Sequence, residues 1–139
     1  MSSTGLPRYW RIQVYNDTGV DSGGNIEVTA ILTKTNSSGV IQYDVETDLF
    51  AAAEILADVH GDGAVKTNTD TDHYWTGFDA ILDADMTGAS DGNVEVWLLA
   101  STDNATWPTD RSTTHSGSAM FLGALNFTAA AQKLLYFSV

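Results

Sequence analysis

The chain has no cysteine. That excludes a disulfide framework, a zinc–thiolate site and a thiol nucleophile, so stability must come from packing, strand pairing or association. Prolines number only 2, and the 6 basic residues face 18 acidic ones, a formal net charge of −12. A surface of that sign repels polyanions, which argues against nucleic acid and an anionic membrane as partners. Long apolar runs are missing too. Phe50 to Ala57 is the longest mainly apolar stretch, Glu54 interrupts it, and it is too short to span a bilayer. Met1 to Pro7 lacks the apolar segment of a signal peptide, so the expectation is a soluble chain made in a cytoplasm.

What is present points to one domain. A chain of 139 residues fits a single core-forming unit. Only 17% of residues are charged, and Thr, Ser, Asn, Gly and Ala dominate the rest. A sparse, one-signed surface keeps many copies from clumping, and it suits a partner that is basic, or a cation.

The dominant hydrophobic period is two. Trp10, Ile12 and Val14 alternate with polar neighbours; Ile26, Val28, Ala30 and Leu32 share one face of the next stretch. Strict alternation sends successive side chains to opposite faces, which is the mark of a half-buried strand. Val40 to Val45, Tyr74 to Leu82 (broken by Gly77), Val94 to Ala100, Met120 to Leu125 and Leu134 to Val139 follow the same rule. Asn16–Gly19, Asp21–Gly24, Asn36–Gly39 and Asp91–Gly92 are turn compositions between them. The expected fold is all-β: a jelly-roll-like β-sandwich of roughly seven or eight strands. Leu49 to Val59 stands apart. Its alanines favour helix, and Leu49, Ala52, Ala53 and Leu56 fall on one helical face, so it reads either as a short helix or as a strand with a helical lead-in. The expected organisation is an N-terminal arm over residues 1–7 and one sandwich domain over 8–139.

Thr18 to Val28 resembles Thr87 to Val96. Either these are related loop–strand units in pseudo-equivalent places, or acidic glycine-rich loops before alternating strands simply look alike.

Signs of catalysis are weak. The histidines are His60, His73 and His115, and no Gly-x-Ser-x-Gly elbow accompanies them. Glu27 and Glu95 lie on polar strand faces, the ordinary place for solvated carboxylates, so no glycosidase pair stands out. No catalytic residue and no cofactor is assigned. Asp58, His60 and Asp62, spaced two apart and followed by Gly63, resemble a loop that wraps a hard cation, but His60 replaces an oxygen ligand and Thr69 stands where an EF-hand closes with Glu. Asp70, Asp72, Asp83 and Asp85 could form a second acidic cluster; ordinary acidic turns explain both groups.

The aromatic residues carry more. Trp10 belongs with the core face of its strand, whereas Trp97 points to the opposite face from Val94 and Val96. Tyr74 and Trp75 are neighbours, so one of them faces away from the core, and Trp107 precedes Pro108 in a polar loop. An exposed aromatic can stack on a sugar ring or anchor a protein interface.

The stretch Val94-Glu95-Val96-Trp97-Leu98-Leu99-Ala100-Ser101-Thr102-Asp103-Asn104-Ala105-Thr106-Trp107-Pro108-Thr109-Asp110 resembles small virion proteins of tailed bacteriophages. The later strand Phe121 to Leu125 and the terminal Leu135 to Val139 follow it as they do there; the likeness covers about the last third of the chain. It implies a non-enzymatic capsid decoration or cement protein, a β-sandwich that acts through contacts with the major capsid protein or other virion proteins, often as a homotrimer, located in the virion after assembly in the host cytoplasm. The polar leader Met1 to Gly5 is then expected to be gripped by a neighbouring chain. Leu6, Pro7, Tyr74, Trp75, Trp107 and Pro108 are the expected partner-binding residues. The alternative is a carbohydrate-binding module or tail-associated binding domain that uses Trp75 or Trp107 as a stacking platform.

Overall fold

The computed structural model describes residues 5–68, 74–88, 91–108 and 119–139. Ten strands are described: β1 (Tyr9–Asp17), β2 (Gly23–Thr35), β3 (Ile41–Tyr43), β4 (Thr47–Ala53), β5 (His60–Asp62), β6 (Lys66–Thr67), β7 (Gly77–Met86), β8 (Gly92–Ser101), β9 (Ala119–Phe127) and β10 (Ala131–Ser138). They form two antiparallel five-stranded sheets packed as a β-sandwich. Sheet A runs β5-β1-β8-β9, with β6 also on β1; sheet B runs β10-β7-β2-β3, with β4 also on β2.

The alternating residues supply the core. Trp10, Ile12 and Val14 of β1 meet Val94, Val96 and Leu98 of β8 on the inner face of sheet A. Opposite them lie Ile26, Val28, Ala30 and Leu32 of β2 and Phe78, Ala80, Leu82, Ala84 and Met86 of β7. Phe127, Leu49, Phe50 and Ile55 close the cluster. Burial of these side chains, each worth about 1.5–3 kcal/mol for the larger ones, is the main driving force for closing the two sheets.

The expected helix is not there. Among the described residues no helix occurs, and Thr47 to Ala53 forms β4 against β2. Leu49 and Phe50 are consecutive yet both buried. The β2–β4 register shifts between Val28 and its neighbours on either side. A bulge of this kind places adjacent residues on the same side, so the apolar spacing imitates a helical face while the backbone stays extended. The strand expected from Tyr74 begins at Gly77 instead.

The main paths of the two sheets correspond, although β6 on β1 and β4 on β2 fall outside the correspondence. Replacing β5, β1, β8 and β9 by β10, β7, β2 and β3 turns the path of sheet A into that of sheet B. Register agrees: Val96 faces Val14 in one sheet and Val28 faces Leu82 in the other. The strands that follow the two similar loops, β2 and β8, correspond on these paths. Gly23 at the start of β2 and Gly92 at the start of β8 both have positive φ, 71° and 141°, a conformation open to a residue without Cβ, but Gly92 matches Gly24 in the sequence likeness, not Gly23.

Candidate functional site

The chemistry available to this fold lies on three surfaces. The first is the outer face of sheet A, where Arg11, Gln13 and Tyr15 of β1 stand opposite Leu99, Trp97 and Glu95 of β8. Gln13, Tyr15 and Leu99 are buried although they point away from the main core, so this face is covered. The β8–β9 register shifts between Val96 and Trp97, skipping Leu122. One extra residue reverses the facing of the strand beyond it, which brings Phe121 out to Trp97 with ring centroids 5.2 Å apart. The Arg11 guanidinium lies 4.6 Å from the Trp107 ring centre and 3.4 Å from Asp62 Oδ2.

The second surface is a groove of about 480 Å³ between β4 and β5. His60 and Asp62 line it, with His60 Nε2 3.8 Å from Asp62 Oδ2. Asp62 Oδ1 accepts from Gln13 Nε2 at 2.9 Å, and Asp62 Oδ2 faces Arg11. The Asp58 carbonyl accepts from the Tyr15 hydroxyl at 3.0 Å. Asp62 is thus paired within its own sheet, and no group of His, Asp and Glu able to hold a metal ion occurs among the described residues. The described groove lining contains no hydroxyl or thiol side chain that could serve as a nucleophile.

The third surface is the outer face of sheet B, and it is open. Ile31 of β2, Ile81 of β7, and Leu134 and Tyr136 of β10 form an apolar stripe, with Tyr136 71% and Leu134 50% exposed. Glu27, Asp79, Asp83 and Asp85 flank it. Both lysines of this sheet, Lys34 and Lys133, have the opposite parity. Lys34 lies over the Trp75 ring, and Lys133 Nζ donates to the Asn126 carbonyl at 2.7 Å beside the Phe127 ring. The described part of this face therefore carries acids without a Lys or Arg to balance them.

The residues expected to bind a partner scatter. Leu6, expected in a free arm, is only 6% exposed and belongs to the core. Its N–H donates to the Trp75 carbonyl at 3.1 Å, and its own carbonyl accepts from Asn68 Nδ2 at 3.0 Å. Leu6 is thus held within its own domain; Met1 to Thr4 fall outside the described residues. Pro7, Trp107 and Pro108 are half-buried. Trp75 is half-buried against the core, while Tyr74 is 62% exposed. For the sugar-platform alternative, Lys34 and Arg11 each take up space over the ring concerned, 4.8 Å from Trp75 and 4.6 Å from Trp107. His73, His115, Thr69, Asp70 and Asp72 lie outside the described residues; Asp83 and Asp85 share the outer face of β7.

Sequence reasoning passed over Leu134, Tyr136, Ile81 and Ile31. A signal existed: Leu134 to Phe137 is apolar on both strand parities, so if one set is in the core the other must be covered or exposed. No protein-family model, curated protein or solved structure matches the chain.

Proposed function

We propose that this chain is a non-enzymatic structural protein of a tailed-phage virion, which decorates or cements the capsid through contacts with the major capsid protein or other virion proteins. The observation that carries the reading is the outer face of sheet B. A sandwich with a complete core still leaves Ile31, Leu134 and Tyr136 in water. Exposed apolar side chains gathered on a flat sheet suit a protein–protein contact better than a small substrate, which needs concave walls. The likeness of Val94 to Asp110 to small virion proteins supports the same reading and supplies its virion setting.

The mechanism is mass action. A contact that exists only in the assembled shell stabilises that shell by the free energy of the contact. A rigid β-sandwich loses little conformational entropy on docking, which favours binding in many copies. A homo-oligomer, with a trimer as the first candidate, belongs to the same proposal. The test is co-sedimentation of the purified chain with empty capsids of the phage that encodes it. Binding together with increased resistance of the shells to heat supports the proposal; a chain left entirely in the supernatant at saturating concentration removes it.

A further inference from the structure

We propose that β10 is a docking edge that takes up an extended segment of another protein as an added strand, and that this segment alternates apolar residues with lysine or arginine.

The backbone gives the first argument. Val139 and Phe78 exchange both main-chain hydrogen bonds, at 3.0 and 3.1 Å. In an antiparallel ladder such pairs alternate with pairs that exchange none. The β7–β10 register runs without a shift, so Phe137, Leu135, Lys133 and Ala131 repeat the bonded arrangement. Gln132, Leu134, Tyr136 and Ser138 consequently turn their N–H and C=O groups away from β7. β10 ends the sheet, and no described strand pairs with it on that side. A row of free donors and acceptors on an edge strand is a template for another chain.

Side chains give the second. The four residues with outward-turned backbone groups also place their side chains on the open face of sheet B, beside Ile81 and Ile31. An added strand would set every second side chain next to Leu134 and Tyr136 and cover the apolar stripe.

Charge selects the occupant. Asp79, Asp83 and Asp85 face Ser138, Leu134 and Gln132 across the β7–β10 ladder, and both lysines of the sheet point the other way. Long basic side chains from an added strand can lie across β10 toward these carboxylates. A second copy, paired β10 to β10, would instead bring two such acidic rows onto one continuous face, where like charges repel.

This inference deepens the contact function proposed above by naming its edge, and the two can fail separately. If Leu134→Pro leaves capsid co-sedimentation intact, the edge is wrong and the contact function stands. If a peptide docks on β10 of a chain that ignores capsids, the edge stands and the virion assignment falls.

The experiment titrates the isotope-labelled chain with a synthetic peptide of alternating valine and lysine, about seven residues long to match a typical strand. Expected are shifts of the Gln132, Leu134, Tyr136 and Ser138 amides and slowed hydrogen exchange at those sites. The same peptide N-methylated at its edge-facing positions should fail to bind, and an alternating valine–glutamate peptide should bind more weakly. Leu134→Pro removes an outward N–H that β7 does not use, and an edge strand tolerates proline. It should weaken binding about tenfold, near the upper end of what one lost strand hydrogen bond contributes. If that variant does not fold, the N-methylated peptide on the unaltered chain decides alone. Shifts spread evenly over the acidic surface, equal binding of the N-methylated peptide, or concentration-dependent protection of β10 in the chain alone would each overturn the proposal.

Discussion

Trp10 and Phe78 stack on each other with ring centroids 5.3 Å apart and planes 12° from parallel. They sit at corresponding register positions on β1 and β7. Trp10 lies four residues before Val14, the partner of Val96, and Phe78 four before Leu82, the partner of Val28. Phe137 meets Phe78 edge-on at 6.2 Å. One ring comes from each sheet, so the stack ties the layers together at one end of the core. Replacing either ring by alanine should cost about 3–5 kcal/mol. The double variant should cost less than the sum, by about 0.5–1.5 kcal/mol, because the stacking term is lost only once. Urea unfolding of the four proteins measures both quantities, and strict additivity would show that the rings do not cooperate.

Asn68 is 3% exposed, and both its amide nitrogen and its amide oxygen are hydrogen-bonded. Nδ2 donates to the carbonyls of Leu6 at 3.0 Å and Trp75 at 2.9 Å, while Oδ1 accepts from the Trp75 N–H at 2.9 Å. It pins the segment before β1 to the segment before β7. Asn68→Ala takes this partner from the Leu6 carbonyl and the Trp75 N–H, while the Trp75 carbonyl keeps the Leu6 N–H, and should destabilise by about 2–3 kcal/mol. Asn68→Asp sets a carboxylate against two carbonyl oxygens. Its penalty should be larger at neutral pH than at pH near 4, where a protonated carboxyl can donate again. Thermal unfolding at the two pH values checks this; an equal penalty at both would mean that solvent reaches the site.

The strands that bury one face and expose the other were legible because alternation is a local property: β1, β2 and β8 follow it residue by residue. What escaped depended on pairing. Nothing in Leu49-Phe50 announces the bulge against β2 that buries both, so an alanine-rich extended segment imitates a helix. Leu122 likewise gives no hint that it will be skipped and turn Phe121 toward Trp97. Leu6 reads as a partner-binding residue of the N-terminal arm, and its place in the core depends on Asn68 and Trp75, far along the chain. The candidate surface was half legible. The double-sided apolarity of Leu134 to Phe137 is visible in one dimension, but which side stays open depends on what the other sheet covers. The likeness of Thr18–Val28 to Thr87–Val96 leads into strands, β2 and β8, that correspond on the paths of the two sheets, which strand order alone reveals.

Asp103 organises the turn after β8. Its Oδ1 accepts from the N–H groups of Ala105 and Thr106, both at 2.8 Å, and the Thr106 hydroxyl donates to Oδ2 at 3.3 Å. The Thr106 N–H first, then that of Ala105, lower its pKa from an ordinary 3.8 to about 2, with the Ser101 and Thr106 hydroxyls contributing and desolvation opposing. A carboxyl whose pKa is depressed in the fold stabilises it above the unfolded pKa and loses that effect as pH falls through the folded value. The turn should therefore hold fully above about pH 4 and loosen toward pH 2. Carbon-13 titration of the carboxyl should give a midpoint near 2. The Ala105 and Thr106 amide shifts should follow it and lose that step in Asp103→Asn. A midpoint near 4 would mean that the carboxylate is solvated and the turn is held otherwise.

Glu27 and Asp83 stand directly opposite each other on the open face of sheet B, while the equivalent pair in sheet A is Glu95 against Tyr15. Like charges in that relation destabilise a sheet by about 0.2–1 kcal/mol. Gln132 Nε2 donates to both Asp83 oxygens, at 3.0 and 3.2 Å, which eases the crowding without supplying a positive charge. Asp83→Asn should stabilise the free chain by a few tenths of a kcal/mol, and Asp83→Lys, which turns the repulsion into an ion pair, by up to about 1 kcal/mol. Added salt should stabilise the native chain more than either variant, since screening removes the same repulsion. Urea unfolding at low and high ionic strength reads all three. Should Asp83→Lys unfold more easily than the native chain at low salt, the two carboxylates are not in conflict, and the acidic face carries no internal cost that a basic partner could relieve.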